Sequence, residues 1–242
     1  MNTEMYRIFF EIQKKHWWFV TKKKIVLETI KLNTSTSKVS TILDIGCGSG
    51  LMLNSLEKIG LTSGMDMSDE AISFSQEIFS GTIKKGSLPS DVPYANNEFD
   101  IITALDVIEH IDDDQASLRK IRDLLKSNGK CILTVPAYMS LWSHFDELNE
   151  HKRRYTKAEL QEKLTLAGFR IEKLSYYNTI LFPIVYIVRK LNNALNKNGS
   201  SEIEMPGSMI NTILRSIFDV ERHILRNWNM PFGVSLIAVV KK

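Results

Sequence analysis

The chain has 242 residues, of which 43% are hydrophobic and 24% charged, so it can bury one large core. Its net charge of +3 is small for this length, and no dense Lys/Arg stretch alternates with aromatic residues, which argues against a nucleic-acid partner. The longest apolar run, 180–188, is far shorter than the about 20 residues of a spanning helix. Cys47 and Cys131 do not resemble a disulfide pair, which favours a reducing, cytoplasmic location.

The first 33 residues carry apolar side chains at helical spacing, and a polar cluster at 33–37 ends the pattern. We therefore predict an N-terminal helical cap over residues 1–38. The three lysines at 22–24 are interpreted as a solvent-exposed helix face. The aromatic residues at 17–19 fit a core position, and they also fit a lid over a ligand, with Trp18 as a candidate substrate contact.

Strand and helix patterns then alternate along the chain. The predicted strands are 39–45, 61–66, 82–85, 99–105 and 130–135. The predicted helices are 51–59, 69–79 after a Ser68 cap, and 113–125, which Asn128 and Gly129 end. This alternation predicts a doubly wound α/β fold with helices on both faces of a parallel sheet, and ligands at the carboxyl ends of its strands.

The last third of the chain contains a helix at 156–167 and strands at 169–177 and 233–240. Two helical patterns, separated by a polar stretch at 192–208, lie between these strands. We interpret about 179–231 as a helical insertion in a domain that spans 39–242. The insertion fits a cap packed on the domain, a lid over an oily substrate, or a surface that rests on a membrane.

Residues 44–50, Asp-Ile-Gly-Cys-Gly-Ser-Gly, follow the first predicted strand, and Asp66 comes about 20 residues later, where an acidic residue can bind ribose hydroxyls. Glycines at alternate positions let the backbone approach a ligand. A dinucleotide fingerprint spaces its glycines differently and binds a pyrophosphate, which Asp44 would repel. Asp44 suits the ammonium of S-adenosylmethionine, and the run resembles motif I of class I methyltransferases.

Two further stretches extend this resemblance. Residues 94–110 are similar to the P-Y/F-x4-FD and A-x-D-V-x-E-H-I segments of methyltransferases in the class containing the ubiquinone and menaquinone enzymes. The segments His-Trp-Trp-Phe at 16–19, Val-Pro-Ala at 135–137, Leu-Trp-Ser at 141–143 and His-Lys-Arg-Arg-Tyr-Thr at 151–156 resemble a bacterial subgroup often associated with polyprenyl-phosphate glycosyltransferases. Phe145 stands where that subgroup commonly has His, and His144 precedes it.

The resemblance implies a Rossmann-like, seven-stranded, mostly parallel sheet whose last strand is antiparallel. It implies S-adenosylmethionine as cofactor and S-adenosylhomocysteine as product. Ser87 stands where many relatives carry an Asp near the adenine, so Leu88 is expected to contact that ring. The candidate cofactor-binding residues are Asp44, Gly46, Cys47, Gly48, Gly50, Asp66, Met67, Ser87, Leu88 and Leu105.

Methyl transfer from a sulfonium needs in-line alignment and exclusion of water, and it requires neither a metal nor a covalent nucleophile. If the acceptor is a hydroxyl, a histidine can serve as its base. The candidates are His110, His144 and His151, although His110 also fits a local role beside Asp106. His144, Asp146 and His151 do not have the spacing of a closed metal site, so no metal is predicted.

Substrate contacts are expected in the loop after the fifth strand. Arg153 and Arg154 can bind a phosphate or carboxylate, and they fit equally well a salt bridge that pins the loop to the following helix. The candidate substrate-binding residues are Trp18, Tyr138, Asp146, Arg153, Arg154 and Tyr155.

We therefore expect a methyltransferase that acts at oxygen on a small-molecule or lipid- or glycan-linked acceptor, with peripheral membrane contact as a further expectation. A quinone ring is the alternative acceptor. A non-catalytic S-adenosylmethionine-binding partner of a membrane glycosyltransferase is the alternative from another class. The sequence leaves the oligomeric state open.

Overall fold

The structure is a computed structural model that describes residues 3–34, 39–195 and 205–242. The strands of its described part are β1 Ser40–Ile45, β2 Gly60–Asp66, β3 Thr82–Lys85, β4 Phe99–Leu105, β5 Leu125–Pro136, β6 Arg170–Tyr177 and β7 Ser235–Lys241. They form one sheet in the order β3-β2-β1-β4-β5-β7-β6. β7 is antiparallel to both neighbours, and the other pairs are parallel. The predicted doubly wound, seven-stranded sheet is confirmed.

The helices are α1 Thr3–Lys15, α2 Trp17–Asn33, α3 Leu53–Leu56, α4 Asp69–Ile78, α5 Asp114–Leu124, α6 His144–Leu148, α7 Lys157–Leu166, α8 Phe182–Ala194 and α9 Ser208–Asn227. Short 3-10 turns cover Ile108–His110 and Met139–Leu141. The predicted cap Ser68 accepts a hydrogen bond from the Ala71 amide at 3.2 Å and so fixes the start of α4. Among the described helices, none is both long and apolar enough to cross a membrane.

The N-terminal cap contains two helices, because the chain turns at His16. The His16 ring accepts a hydrogen bond from the Trp18 amide at 3.3 Å and caps α2. The Trp18 ring stacks on Phe218 of α9, with centroids 5.3 Å apart, and the Trp17 amide donates to the Asn211 side chain at 2.9 Å. The cap thus packs against the insertion. Residues 35–38, which include the end of the predicted polar cluster and of the predicted cap, lie outside the described residues.

The insertion contains the two predicted helices, α8 and α9, between β6 and β7. Residues 196–204 of the predicted polar stretch lie outside the described part of the chain. Phe218 and Leu225 of α9 are buried in a hydrophobic cluster that includes Ile237 and Val239 of β7. The buried Glu221 of α9 accepts a hydrogen bond from the Ile180 amide at 2.6 Å. These contacts hold the insertion on the domain.

The predicted boundary between α5 and β5 is wrong. Asn128 and Gly129 were expected to end a helix, but α5 stops at Leu124 and both residues lie inside β5. The backbone of Leu125 already pairs with Phe99, and a register shift follows before Lys130 pairs with Ile101. Asn128 adopts φ +70°, so the Asn-Gly pair accommodates an irregularity in the strand rather than a helix end.

Candidate active site

A cavity of about 680 Å³ lies at the carboxyl ends of β1, β4 and β5, in the size range of small-molecule sites. Helices α1, α2 and α8 contribute side chains to its walls. The predicted site residues that line the cavity are Asp44, Gly46, Cys47, Gly48, Leu105, His110, His151, Arg154 and Trp18. The fold therefore brings together residues from the glycine motif, the segment after β4 and the loop after β5.

The glycine loop needs its glycines for two different reasons. Gly46 has φ +67°, and a Cβ there would lie 2.7 Å from Cγ2 of Val107, inside protein. Gly48 has φ +51°, yet a Cβ there would meet no atom closer than the Gly46 carbonyl at 3.9 Å. Because Gly48 lines the cavity, it leaves room for a ligand.

Backbone amides of this loop donate to acceptors within the protein. The amides of Gly46 and Cys47 donate to the Met65 carbonyl at 2.7 and 3.1 Å, and that of Gly50 donates to the Cys47 carbonyl at 2.9 Å. The Gly48 amide donates to one carboxylate oxygen of Asp66 at 2.8 Å, while the other accepts from Ser68 at 3.0 Å. Asp66 thus ties the loop to the end of β2.

Asp44 is buried at the end of β1 and accepts a hydrogen bond from the Thr103 hydroxyl at 2.6 Å. Burial raises the pKa of its carboxyl to about 7, and the charge of Asp66 adds to this effect. A cationic group in the cavity would favour the ionised form, which fits the ammonium of S-adenosylmethionine. Burial also raises the pKa of the Cys47 thiol, so this residue remains a neutral packing group.

The structure corrects the interpretation of 22–24 as a solvated face. Lys22 is buried, lines the cavity and hydrogen-bonds the carboxylate of Asp106. Asp106 also accepts from the Thr134 hydroxyl at 2.8 Å. Lys23 lines the cavity as well, and burial lowers its pKa. Sequence reasoning missed Lys22 because three adjacent lysines resemble a surface pattern, and the partner is 84 residues away.

His110 and His151 come together on the cavity wall, with ring centroids 4.7 Å apart. The Nδ1 atom of His151 lies 2.8 Å from Asp146, whose two carboxylate oxygens accept from Arg154 at 2.8 and 2.9 Å. Glu109, next to His110, is fully buried. Burial raises the pKa of Glu109 well above its ordinary value, and Asp106 adds to the shift. Sequence reasoning quoted Glu109 within a motif without assigning it a role.

Some predicted cofactor residues do not line this cavity. Gly50 packs against Ser75 of α4, and Met67 is 72% exposed just after β2. Ser87 pairs with Asp91 through backbone hydrogen bonds of 2.7 and 3.0 Å, while Leu88 is buried in the core. With Asp66 they surround the carboxyl ends of β2 and β3, so their contacts with the adenosine part of the cofactor stay predictions.

Five predicted residues make contacts within the protein instead of lining the cavity, and one of them is Asp146, which contacts His151 and Arg154. His144 lies 3.1 Å from Glu147 within α6, and Tyr138 stacks on Tyr176 with centroids 5.1 Å apart. Arg153 and Tyr155 both contact Asp114 of α5, at 2.9 and 2.8 Å. Arg153 therefore forms a salt bridge, but this bridge joins the loop to the start of α5 and not, as predicted, to the following helix α7.

A seven-stranded sheet of this order, with a glycine loop after β1 and an acidic residue at the end of β2, defines a class I S-adenosylmethionine-dependent methyltransferase. The sequence agrees with this class. The family described as "Methyltransferase domain" matches residues 21–174, more than half of the chain. The chain belongs to this family, and S-adenosylmethionine is its methyl donor.

Individual relatives are distant. The chain is 28% identical over 123 residues to the ubiquinone biosynthesis O-methyltransferase of Thiobacillus denitrificans, a match that spans 48% of each chain. It is 24% identical over 196 residues to the enzyme of the same name from Aeromonas salmonicida, covering 69% of this chain and 81% of the relative. The fold also matches the structure of phosphoethanolamine N-methyltransferase 2 of Haemonchus contortus in complex with S-adenosyl-L-methionine, with a TM-score of 0.59 and 16% identity. The match covers 90% of this chain and 52% of that protein.

Proposed function

We propose that the protein transfers a methyl group to an oxygen atom of a small, amphiphilic acceptor. The observation that carries this proposal is one cavity lined both by Asp44 with its glycine loop and by the histidine pair His110 and His151. The bound donor supplies an electrophilic methyl group on its sulfonium. The protein's own residues hold the two reactants in line and keep water away, and alignment can supply about 7–11 kcal/mol of the barrier.

The histidine pair supports oxygen as the acceptor atom, because a hydroxyl must lose a proton during methylation. Burial lowers the pKa of His110, and His151 lowers it further, so its ring is neutral near pH 7 and can accept a proton. With Nδ1 of His151 facing Asp146, its Nε2 atom is available to the cavity. Relatives named as O-methyltransferases give independent support.

Apolar walls support an amphiphilic or lipid-linked acceptor. Trp17, Trp18, Leu181, Val185 and Val188 line the cavity. Further along α8 and α9, large apolar side chains are exposed to solvent: Ile184, Ile187, Leu191, Met209, Ile210 and Ile213. The segments 178–195 and 205–218 contain no acidic residue. A basic surface with exposed apolar groups suits peripheral contact with an anionic membrane.

Methyl transfer is tested with purified protein, methyl-labelled S-adenosylmethionine, and aqueous and organic extracts of cells. We expect labelled product in the organic phase, S-adenosylhomocysteine in equal amount, and a methoxy carbon in the NMR spectrum of the product. A labelled product that contains a methylated quinone or quinol ring would favour the quinone-ring alternative. Donor binding without turnover in any extract would favour the non-catalytic alternative.

Membrane contact is tested by flotation with phosphatidylglycerol vesicles and with phosphatidylcholine vesicles. We expect the protein to float with the anionic vesicles only, and Ile187→Asp to abolish flotation. Val39→Asp is the matched control, since Val39 is equally apolar and exposed but lies before β1. Equal flotation of both variants would show that α8 is not the contact surface.

The free thiols of Cys47 and Cys131 support a reducing, cytoplasmic location for the enzyme.

A further inference from the structure

Beside the histidine pair, three metal-ligating side chains converge from two distant stretches of the chain. Glu109 and His110 belong to the 3-10 turn after β4, and His151 follows α6. One ligand atom from each lies within 4.8 Å of the other two. Both histidines line the cavity, and Glu109 is buried beside them. The cluster is thus accessible from the same cavity that receives the substrates.

Glu109 is the unusual member of this cluster. It is 0% exposed, and among the residues that the structure describes, neither carboxylate oxygen accepts a hydrogen bond from another residue. A buried carboxylate without a partner is costly, and proteins compensate it with a proton, a cation or a metal ion. The neighbouring cations are already engaged, since Lys22 contacts Asp106 and Arg154 contacts Asp146.

The charges around the cluster leave room for a cation. Lys22 is paired with Asp106 and Arg154 with Asp146, so these four charges cancel. A cation bound at the cluster would replace the proton of Glu109, and the resulting carboxylate would attract the cation directly.

His151 has the orientation that metal-ligating histidines have. Its Nδ1 atom lies 2.8 Å from the Asp146 carboxylate, which leaves Nε2 for a ligand. Metal-bound histidines usually donate their second ring N–H to such a group. Asp146 is itself held by Arg154 and by the Ser143 amide at 2.9 Å. The ring is therefore fixed by an outer layer of contacts that extends away from the cavity.

We propose that Glu109, His110 and His151 bind a divalent transition-metal ion with open positions toward the cavity. Two nitrogen donors and one carboxylate suit Zn²⁺ or Co²⁺ better than Mg²⁺ or Ca²⁺. Ligands at about 2.1 Å from an ion lie at most about 4.2 Å from one another, so small side-chain rotations complete the site. Sequence reasoning weighed His144, Asp146 and His151 as ligands. The structure pairs His144 with Glu147 and Asp146 with Arg154.

This inference deepens the proposed function and depends on it for the role of the ion. An acceptor hydroxyl at an open position would have a lowered pKa and lose its proton to solvent water. The resulting oxyanion attacks the methyl carbon as the carbon–sulfur bond breaks, and that electron pair stays on sulfur. The histidine rings are then ligands, and the ion takes over activation of the hydroxyl.

The site is tested by binding of Co²⁺ and Zn²⁺ to the purified 242-residue chain after treatment with a chelator, without donor or acceptor. We expect one Co²⁺ per chain with visible absorption, displaced by Zn²⁺, and at least tenfold weaker binding to Glu109→Gln and His110→Gln. His144→Gln is the matched control, because His144 lies outside the cluster. The melting temperature shows whether each variant is folded, and His110→Gln changes a cavity-wall residue, not a buried one.

Equal Co²⁺ affinity of wild type and both variants, or no binding at all, would overturn the site. A thiolate charge-transfer band would do the same, since it would place the ion on a cysteine. Because binding is measured without methyl transfer, its failure is distinguishable from failure of the proposed function. Turnover in metal-free protein would leave oxygen methylation standing and exclude the ion from it.

Discussion

The ammonium of Lys22 contacts the carboxylate of Asp106, so a residue of the N-terminal cap completes the cavity wall at the end of β4. Burial alone would raise the pKa of Asp106, but Lys22 and the Thr134 hydroxyl together hold that pKa below its ordinary value. A carboxyl with a lowered pKa stabilises the folded state above about pH 4, and this contribution is lost as the pH falls further.

Lys22→Met should therefore lower the free energy of unfolding by about 2 kcal/mol at pH 7. Breaking a fully buried pair costs about 3–5 kcal/mol, but 33% of the Asp106 side chain is exposed. The measurement is urea unfolding at pH 7 and pH 3, with a smaller difference expected at pH 3. Adding Asp106→Asn to Lys22→Met should restore most of the lost free energy of unfolding. If Lys22→Met alone were as stable as wild type, the pair would have no stabilising role.

Asp146→Asn should destabilise the protein by about 3–5 kcal/mol at pH 7, because Arg154 is left buried without its carboxylate. Burial opposes ionisation of Asp146, but the His151 hydrogen bond and Arg154 lower its pKa to about 2. Its contribution is thus complete above about pH 4 and is lost toward pH 2. Glu147→Gln, at the next position but 61% exposed, should change stability by less than about 0.5 kcal/mol in the same denaturation experiment.

The contribution of Asp44 to folding stability changes with pH in the opposite direction to that of Asp106 and Asp146. Its pKa is raised from 3.8 to about 7, so its contribution to stability is present below pH 4 and is lost as the pH rises toward 7. Ligand-free Asp44→Asn should therefore melt at a higher temperature than wild type at pH 8, with a smaller difference at pH 5.

Cofactor binding should become tighter as the pH rises, since the ammonium group of the cofactor prefers an ionised Asp44. Calorimetry with S-adenosylhomocysteine should give tighter binding to wild type at pH 8 than at pH 6. Asp44→Asn should bind on the order of tenfold more weakly at pH 8, with little change between the two pH values. A wild-type affinity that is flat across this range would contradict the role of Asp44.

The two glycines of the loop should respond differently to the same substitution. Gly46→Ala adds a clash with Val107 to an unfavourable φ, so we expect a loss of several kcal/mol in stability. Gly48→Ala meets only the φ cost of about 1–2 kcal/mol, but its methyl group enters the cavity. It should remain folded and bind S-adenosylhomocysteine at least tenfold more weakly. Calorimetry and thermal melts separate the two effects, and tight binding by Gly48→Ala would refute this assignment.

Local patterns predict most of the sheet. β3 and β4 have the bounds expected from the sequence, because runs of β-branched residues mark each strand and polar turns surround them. The break at His16 was missed, since histidine is an uncommon helix cap and the apolar spacing continues through it. The Asn-Gly pair in β5 misled because it accommodates an irregularity within a strand, where the pairing with β4 passes from Leu125 to Lys130.

The cofactor end of the site could be predicted because its residues are adjacent in sequence. The acceptor end could not, since it depends on contacts between distant segments. Lys22 meets Asp106 across 84 positions, and the loop after β5 brings His151 beside His110. Nothing in the spacing of these residues reveals that the carboxylate of Glu109 has no hydrogen-bond partner in the part of the chain that the structure describes. Only packing of the cap and the loops against the sheet determines which of these charges is compensated.

The amides of the glycine loop have a consequence for selectivity. Those of Gly46, Cys47, Gly48 and Gly50 all donate to oxygens inside the protein, so none of these four points an unused donor at a ligand. A phosphate group, which other glycine-rich turns bind through such donors, would find no hydrogen bonds from them. These four amides therefore make the loop a poor binding site for the diphosphate of a dinucleotide such as NAD or FAD.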